Sequence, residues 1–225
     1  VRVAIAHAPE GPRPAHRTVW VSTRTQRENI TLSTIVVVRK GQTACIAADT
    51  LTTFGDTRLD HTLDRNHSKI QTFGKTHMGI VGSAAHSLVT ERALNDKELA
   101  ADFSSREAAF DTLIRLHPIL KENYFLNSKD ADEDPYETSQ IDAVFVNANG
   151  IFGLFSLREV YEYTRFWAVG SGACYALGAM HAVYDQYKSA RDIARAGAEA
   201  GATFDTSSQL PLTLKTVRLR ESGKQ

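Results

Sequence analysis

The run Ser33-Thr34-Ile35-Val36-Val37-Val38-Arg39-Lys40, followed by Gly41-Gln42 and then Thr43-Ala44-Cys45-Ile46-Ala47-Ala48-Asp49, decides how this chain is read. Two short runs of apolar residues flank a glycine-containing turn, the pattern of a β-hairpin buried in a core. A hydroxyl residue opens the first strand and a carboxylate stands at the far end of the second. Lys69, in Ser68-Lys69-Ile70, heads the next strand-like run. Serine is a poor nucleophile until a base takes its proton. At a chain terminus a free α-amine, with a pKa near 8, can be that base. A lysine beside the hydroxyl would favour its deprotonated form, and an aspartate would hold and compensate the lysine. Ser33, however, is not the first residue of this chain.

With 225 residues and 42% apolar content, the chain can bury one sizeable core, so one domain is the expectation. Lys plus Arg and Asp plus Glu stand at 26 each, which argues against a nucleic-acid-binding surface. No apolar run approaches the roughly 18 residues of a membrane span, and Pro9, Pro12 and Pro14 interrupt any signal-peptide core. A cytoplasmic protein that engages neither membrane nor nucleic acid is expected. Cys45 and Cys174 read as buried thiols, one in a strand and one at a helix start, and whether they pair stays open. Asp60, His61, Asp64 and His67 are metal-ligating types, but their segment reads as a solvated loop. The acidic run Asp130–Pro135 lacks the glycine and distal glutamate of a calcium loop. No metal and no cofactor are expected.

Residues 1–32 differ from the rest, with three of the six prolines, five Arg against two Glu, and no sustained periodicity. They read as an extension of the domain spanning 33–225. It is a propeptide removed at Leu32–Ser33, a permanent tail that blocks the site, or a mis-called start. Val1 and Leu32 are both residues that alternative bacterial start codons encode.

Beyond Ser33 strands are expected over Thr34–Arg39, Thr43–Ala48, Ser68–Phe73 and His77–Val81. Gly82-Ser83-Ala84-Ala85 opens a helix to about Leu94. Ser104 and Glu107 have the capping-box spacing before a helix that Pro118 should kink near its end. Strands over Ile141–Asn147 and Ile151–Ser156 flank a turn at Asn149-Gly150, and Phe166–Val169 follows. Gly170-Ser171-Gly172 leads into a helix to about Tyr187. Ser189 caps another that Gly201 should end, and a closing strand lies around Leu212–Leu219. Pattern alone gives α+β: two strand groups, each followed by helices, suggest two sheets face to face with helices outside.

Three places in this pattern resemble the proteasome β subunits and HslV-type peptidases, the N-terminal nucleophile hydrolases. They are Ser33-Thr34-Ile35-Val36 with Asp49, Gly82-Ser83-Ala84-Ala85, and Gly170-Ser171-Gly172 before Tyr175-Ala176. The resemblance covers roughly residues 33–219. It implies a four-layer αββα sandwich and a self-compartmentalising, threonine-type endopeptidase in which Ser33 replaces the usual Thr. By that resemblance Asp49 and Lys69 would form the catalytic pair, and Gly82 would donate to the oxyanion. Ser171 would stand near the amine and Asp205 would support it. Thr52, Thr53 and Ile80 would line a small-to-medium apolar substrate pocket. Also implied are a peptide or unfolded-protein substrate, homo-oligomeric stacked rings and a possible ring ATPase unfoldase. The loop from Thr50 to Ser68 is longer than in compact bacterial members. Leu32 replaces the glycine that commonly precedes a cleaved propeptide. Two other readings stay open: a non-catalytic ring or scaffold subunit with a blocked N-terminus, and a small-molecule amidase on the same fold.

Overall fold

The computed structural model describes residues 32–128 and 135–220. The extension expected over 1–32 (apart from Leu32) and most of the acidic run at 130–135 lie outside the described residues. In chain order the elements are β1 (Ile35–Lys40), β2 (Thr43–Ala48), β3 (Thr52–Phe54), β4 (Thr57–Leu59), β5 (Ile70–Phe73), β6 (Thr76–Val81), α1 (Ala84–Leu94) and α2 (Arg106–Tyr124). Then come β7 (Asp142–Asn147), β8 (Gly150–Leu154), β9 (Val160–Tyr163), β10 (Phe166–Val169), α3 (Ala173–Val183), α4 (Ala190–Phe204) and β11 (Thr213–Arg218).

Two antiparallel sheets carry the fold, one in the order β10-β1-β2-β11 and the other β5-β6-β7-β8-β9; β3 and β4 form a separate hairpin. The side-chain period of two assigns the faces. From the first sheet Ile35, Val37, Ala44, Ile46 and Ala48 meet Ile70, Val81, Val144, Val146 and Ile151 of the second. The alternate residues Val36, Val38, Cys45 and Ala47 pack against α3 and α4 through Met180, Ile193, Ala194 and Ala198. On the far side Phe145, Phe152 and Leu154 pack beneath α1 and α2 with Leu94, Leu113, Leu116 and Leu120. The result is the four-layer αββα sandwich. It explains the unbroken apolar run at 35–38: both faces of that strand are covered, so it shows no alternation of apolar and polar residues.

The register 35↔48 to 40↔43 makes β1 and β2 the hairpin that the opening run announces. Several boundaries differ from expectation. Ser105, not Ser104, caps α2, accepting from the Ala108 N–H at 3.1 Å, and the helix continues past Pro118 to Tyr124. The β7–β8 turn is Ala148-Asn149, one residue early, because Asn147 Oδ1 takes the Asn149 N–H at 2.8 Å and Gly150 already pairs with Asn147. Helix α3 stops at Val183, where Lys40 Nζ donates to the Tyr184 carbonyl at 2.6 Å. Gly201 does not end α4, which runs on to Phe204. Cys45 is buried but Cys174 is exposed, and both are free thiols. Strands β3, β4 and β9 were not anticipated.

Candidate active site

Antiparallel pairing of β1 with β2 sets the head of one strand beside the end of the other, so Ser33, Thr34 and Asp49 converge. Asp49 is fully buried, and every bond to it comes from a donor. Its Oδ1 accepts from the Thr34 N–H at 2.9 Å and from Lys69 Nζ at 2.8 Å. Its Oδ2 accepts from the Leu51 N–H at 3.0 Å and the Gln209 N–H at 3.2 Å. A buried carboxylate needs such saturation, since an unpaired charge in the interior is costly.

Lys69 enters just ahead of β5, from the second sheet, and crosses to the first. Its Nζ also donates to Ser33 Oγ at 2.9 Å, so the ammonium bridges hydroxyl and carboxylate. Burial pushes Lys69 below the ordinary lysine range, while the charge of Asp49 opposes that shift. A cation held there lowers the cost of a serine alkoxide.

On the other side of Ser33 lies a row of hydroxyls. The Ser33 N–H donates to Ser171 Oγ at 3.3 Å, and the Ser171 hydroxyl donates to Asp205 Oδ2 at 2.7 Å. The Ser208 hydroxyl donates to the same oxygen at 2.7 Å. With its single proton committed there, Ser208 must accept at 2.7 Å from Thr34 Oγ1. Thr34 therefore touches both halves of the site, Asp49 through its N–H and Asp205 through Ser208. Its side chain fits only because Gly172 and Gly201 lie against it: a Cβ on Gly172 would stand 1.9 Å from Thr34 Oγ1, and one on Gly201 2.3 Å from Thr34 Cγ2. Gly201 is thus a contact residue, which is why its presence did not signal a helix end.

Gly82 and Gly170 both sit at strand-to-helix turns with left-handed backbone, φ +113° and +96°, that side chains rarely adopt. At Gly170 a Cβ would also strike the Ser33 carbonyl at 2.2 Å, whereas the space beside Gly82 is open. Of the expected pocket residues, Thr52 and Thr53 are half-buried on β3. Ile80 is 6% exposed and packs in the layer beneath α1 and α2. Asp60, His61, Asp64 and His67 do not form a metal-binding group, and no such group occurs among the described residues. Ser33, Asp49, Lys69, Ser171 and Asp205 are joined by direct bonds. Thr34, Ser208 and Gln209 were not singled out in the sequence as members of this network, although Ser208 lies in the quartet Asp205-Thr206-Ser207-Ser208.

No family model matches the chain. Among solved structures, BPH of Thiobacillus denitrificans, a bacterial proteasome-like protein, is 36% identical over 84% of this chain and 99% of its own, with a TM-score of 0.75. The same protein in complex with epoxomicin is 34% identical over 83% of this chain and 99% of its own, with a TM-score of 0.73. The chain belongs to the proteasome β-subunit and HslV-like family of N-terminal nucleophile hydrolases. Eukaryotic HslV from Trypanosoma brucei, 19% identical over 82% of this chain and 99% of its own, shares the fold with a TM-score of 0.62. The chain therefore has a proteasome-type peptidase fold. Among the described residues, no helix is long and apolar enough to cross a membrane.

Proposed function

We propose that this chain, once its first residue is Ser33, is a peptidase that attacks the scissile carbonyl with the Ser33 hydroxyl. The observation that carries the reading is the position of Lys69 Nζ, 2.9 Å from Ser33 Oγ and 2.8 Å from Asp49 Oδ1. The free α-amine takes the hydroxyl proton, directly or through one water. Lys69 favours the deprotonated hydroxyl electrostatically, and Asp49 keeps Lys69 charged and in place. Ser171, oriented by Asp205, holds the amine toward the hydroxyl. The Gly82 N–H donates to the tetrahedral oxyanion, and Thr52, Thr53 and Ile80 line the pocket for the substrate side chain. The substrate is a peptide or unfolded protein, and the family resemblance implies stacked homo-oligomeric rings in the cytoplasm, with a ring ATPase as a possible partner. That BPH was solved with epoxomicin supports a peptidase reading.

The scaffold reading is the alternative: where Leu32 stays joined to Ser33, the Ser33 nitrogen is a peptide amide that donates to Ser171 and cannot act as a base. Intact-mass measurement on the purified protein separates the two. A chain beginning at Ser33 that hydrolyses a fluorogenic peptide and binds epoxomicin, both lost in Ser33→Ala, supports the peptidase. A chain that retains residues ahead of Ser33 and hydrolyses nothing supports the scaffold.

A further inference from the structure

Gln209 follows Ser208 and precedes β11, and its backbone and side chain serve different parts of the molecule. Its N–H donates to Asp49 Oδ2 at 3.2 Å, and its carbonyl accepts the Thr50 N–H at 3.2 Å. These bonds pin residue 209 to the chain end that carries the buried carboxylate. The side-chain amide reaches the hairpin next door. Its Oε1 accepts from Arg58 Nη2 at 2.6 Å, and its Nε2 donates to Asp60 Oδ2 at 2.8 Å.

Among the long, unbranched polar side chains, only the amide can do both. Glutamate would set a negative charge against Asp60, and lysine or arginine a positive one against Arg58, whereas Gln offers an acceptor to the cation and a donor to the anion. Asp60 is a firm anchor. Its Oδ1 accepts the N–H and the hydroxyl of Thr62 at 2.9 and 2.7 Å, and the Thr62 backbone N–H leads the contacts that hold its carboxyl down at about 2. Across the hairpin Arg58 pairs with Thr53 and Leu59 with Thr52, so the two residues gripped by Gln209 flank the partner of Thr52.

We propose that Gln209 is a positioning residue: its side-chain amide fastens β3–β4, and with it Thr52 and Thr53, to the backbone that fixes Asp49. A bound peptide and the Ser33–Lys69–Asp49 group would then keep one spacing. The substrate half of this inference rests on the peptidase reading; the tether can be measured without turnover.

Gln209→Ala removes both side-chain bonds and leaves both backbone bonds in place. In hydrogen–deuterium exchange on the full chain, amides of residues 52–59 should exchange about tenfold faster, with β1 and β2 unchanged. In peptide hydrolysis KM should rise about tenfold while kcat stays within about twofold, the pattern of lost binding without lost chemistry. Gln209→Glu, which keeps the Arg58 contact and opposes Asp60, should fall between wild type and Gln209→Ala. Adding Arg58→Ala to Gln209→Ala should change neither readout further. Unchanged exchange over 52–59 in Gln209→Ala overturns the tether whatever the activity. Faster exchange with kcat reduced and KM unaltered overturns the substrate role. A wild-type chain beginning at Ser33 that hydrolyses no peptide overturns the peptidase reading, and the substrate role with it, while the exchange result still decides the tether.

Discussion

Among the described residues, two serines, Ser33 and Ser139, stand beside a basic side chain backed by a carboxylate, and comparing them shows what a candidate site requires. Ser33 has Lys69 and Asp49. Ser139 has His117, with Nδ1 3.0 Å from the hydroxyl, and His117 Nε2 lies 3.1 Å from Glu137 Oε2. Taken as a row of atoms, Ser139–His117–Glu137 looks the more like a hydrolase. Burial does not separate them, at 3% exposure for Ser33 and 1% for Ser139. The surroundings do. The carboxylate behind Lys69 is enclosed and saturated by backbone donors, while Glu137 is exposed and shared with Lys121 Nζ at 2.6 Å. That Lys121 bond leads the contacts that hold the Glu137 carboxyl down at about 2.

The backbone donors do not separate them, but the networks they join do. At Ser139 the serine N–H is bound to the Ser156 carbonyl at 2.9 Å, and the next N–H, that of Gln140, to Thr138 Oγ1 at 2.9 Å. The corresponding amides at Ser33 are committed too, to Ser171 and Asp49. The distinction lies in where each network leads: at Ser33 to a buried carboxylate, at Ser139 to backbone carbonyls and an exposed one. Thr138 bonds the Ser128 and Ser156 carbonyls as well, so this row fastens a connecting segment to α2 through His117 and to the chain just beyond α2 and β8. Around Ser33 the bonded residues come from segments beside β2, β5 and α3, which belong to different layers of the fold.

The largest expected effect is the difference between the two serines themselves. Ser33→Ala should abolish peptide hydrolysis and leave assembly intact, since it removes only a hydroxyl at a strand head; Ser33→Thr should retain activity. Turnover at the wild-type rate by Ser33→Ala, measured with a fluorogenic peptide, would erase the distinction drawn here. Next in size, Lys69→Ala and Asp49→Asn should each lower kcat/KM by about a hundredfold or more, the scale of positioned catalytic groups. The double variant should be little worse than either single one, because the two act as a unit. Multiplying losses would show them to be independent.

The pH profile sharpens the same point. Activity should rise as the Ser33 α-amine loses its proton near pH 8. It should fall again, below the ordinary lysine value, as Lys69 loses its proton, because burial lowers the Lys69 pKa. Asp49→Asn removes the charge that opposes the lowering, so the alkaline limb of its residual activity should move to lower pH. An alkaline limb that does not move in this variant would mean that Lys69 is not the group titrating.

How much of this was legible in the sequence depended on what each residue's neighbours advertise. The buried hairpin was plain because apolar β-branched runs have few other uses. Asp49 and Lys69 stood out through spacing and resemblance. Thr34 and Ser208 did not, since their contact joins residues far apart in the chain and hydroxyl residues are common everywhere. Gly201 misled because a glycine near a helix end usually marks a stop, whereas here it clears space for Thr34. The β3–β4 hairpin was missed because Thr52–Phe54 and Thr57–Leu59 are too short and too exposed to show alternation. Gln209 was invisible, since nothing in a lone glutamine says that its amide lies between Arg58 and Asp60.

Packing around Thr34 makes the next prediction. Gly172→Ala or Gly201→Ala drives a methyl into Thr34 and should cost about 1–3 kcal/mol of stability, the usual penalty of overpacking. Thermal melting would show this, and pairing either change with Thr34→Ala should recover part of the loss. An unchanged melting temperature would mean that α3 or α4 yields easily there, and that Thr34 is not held as tightly as the geometry implies.

The smallest effect belongs to the second serine, and it tests the comparison from the other side. Ser139→Ala deletes one hydroxyl whose visible partner is the His117 imidazole. The imidazole keeps its Glu137 contact, and the segment keeps the Thr138 and Ser139 backbone bonds to Ser128 and Ser156. The cost should therefore be that of one ordinary hydrogen bond, about 0.5–1.5 kcal/mol, with kcat/KM against peptides unchanged. A reactive serine probe should label Ser33 in a chain that begins there and leave Ser139 untouched, because the carboxylate behind His117 is exposed and shared with Lys121. If Ser139→Ala instead cut hydrolysis while Ser33→Ala did not, the row of atoms would have outweighed the surroundings. The assignment of the nucleophile would then pass to Ser139.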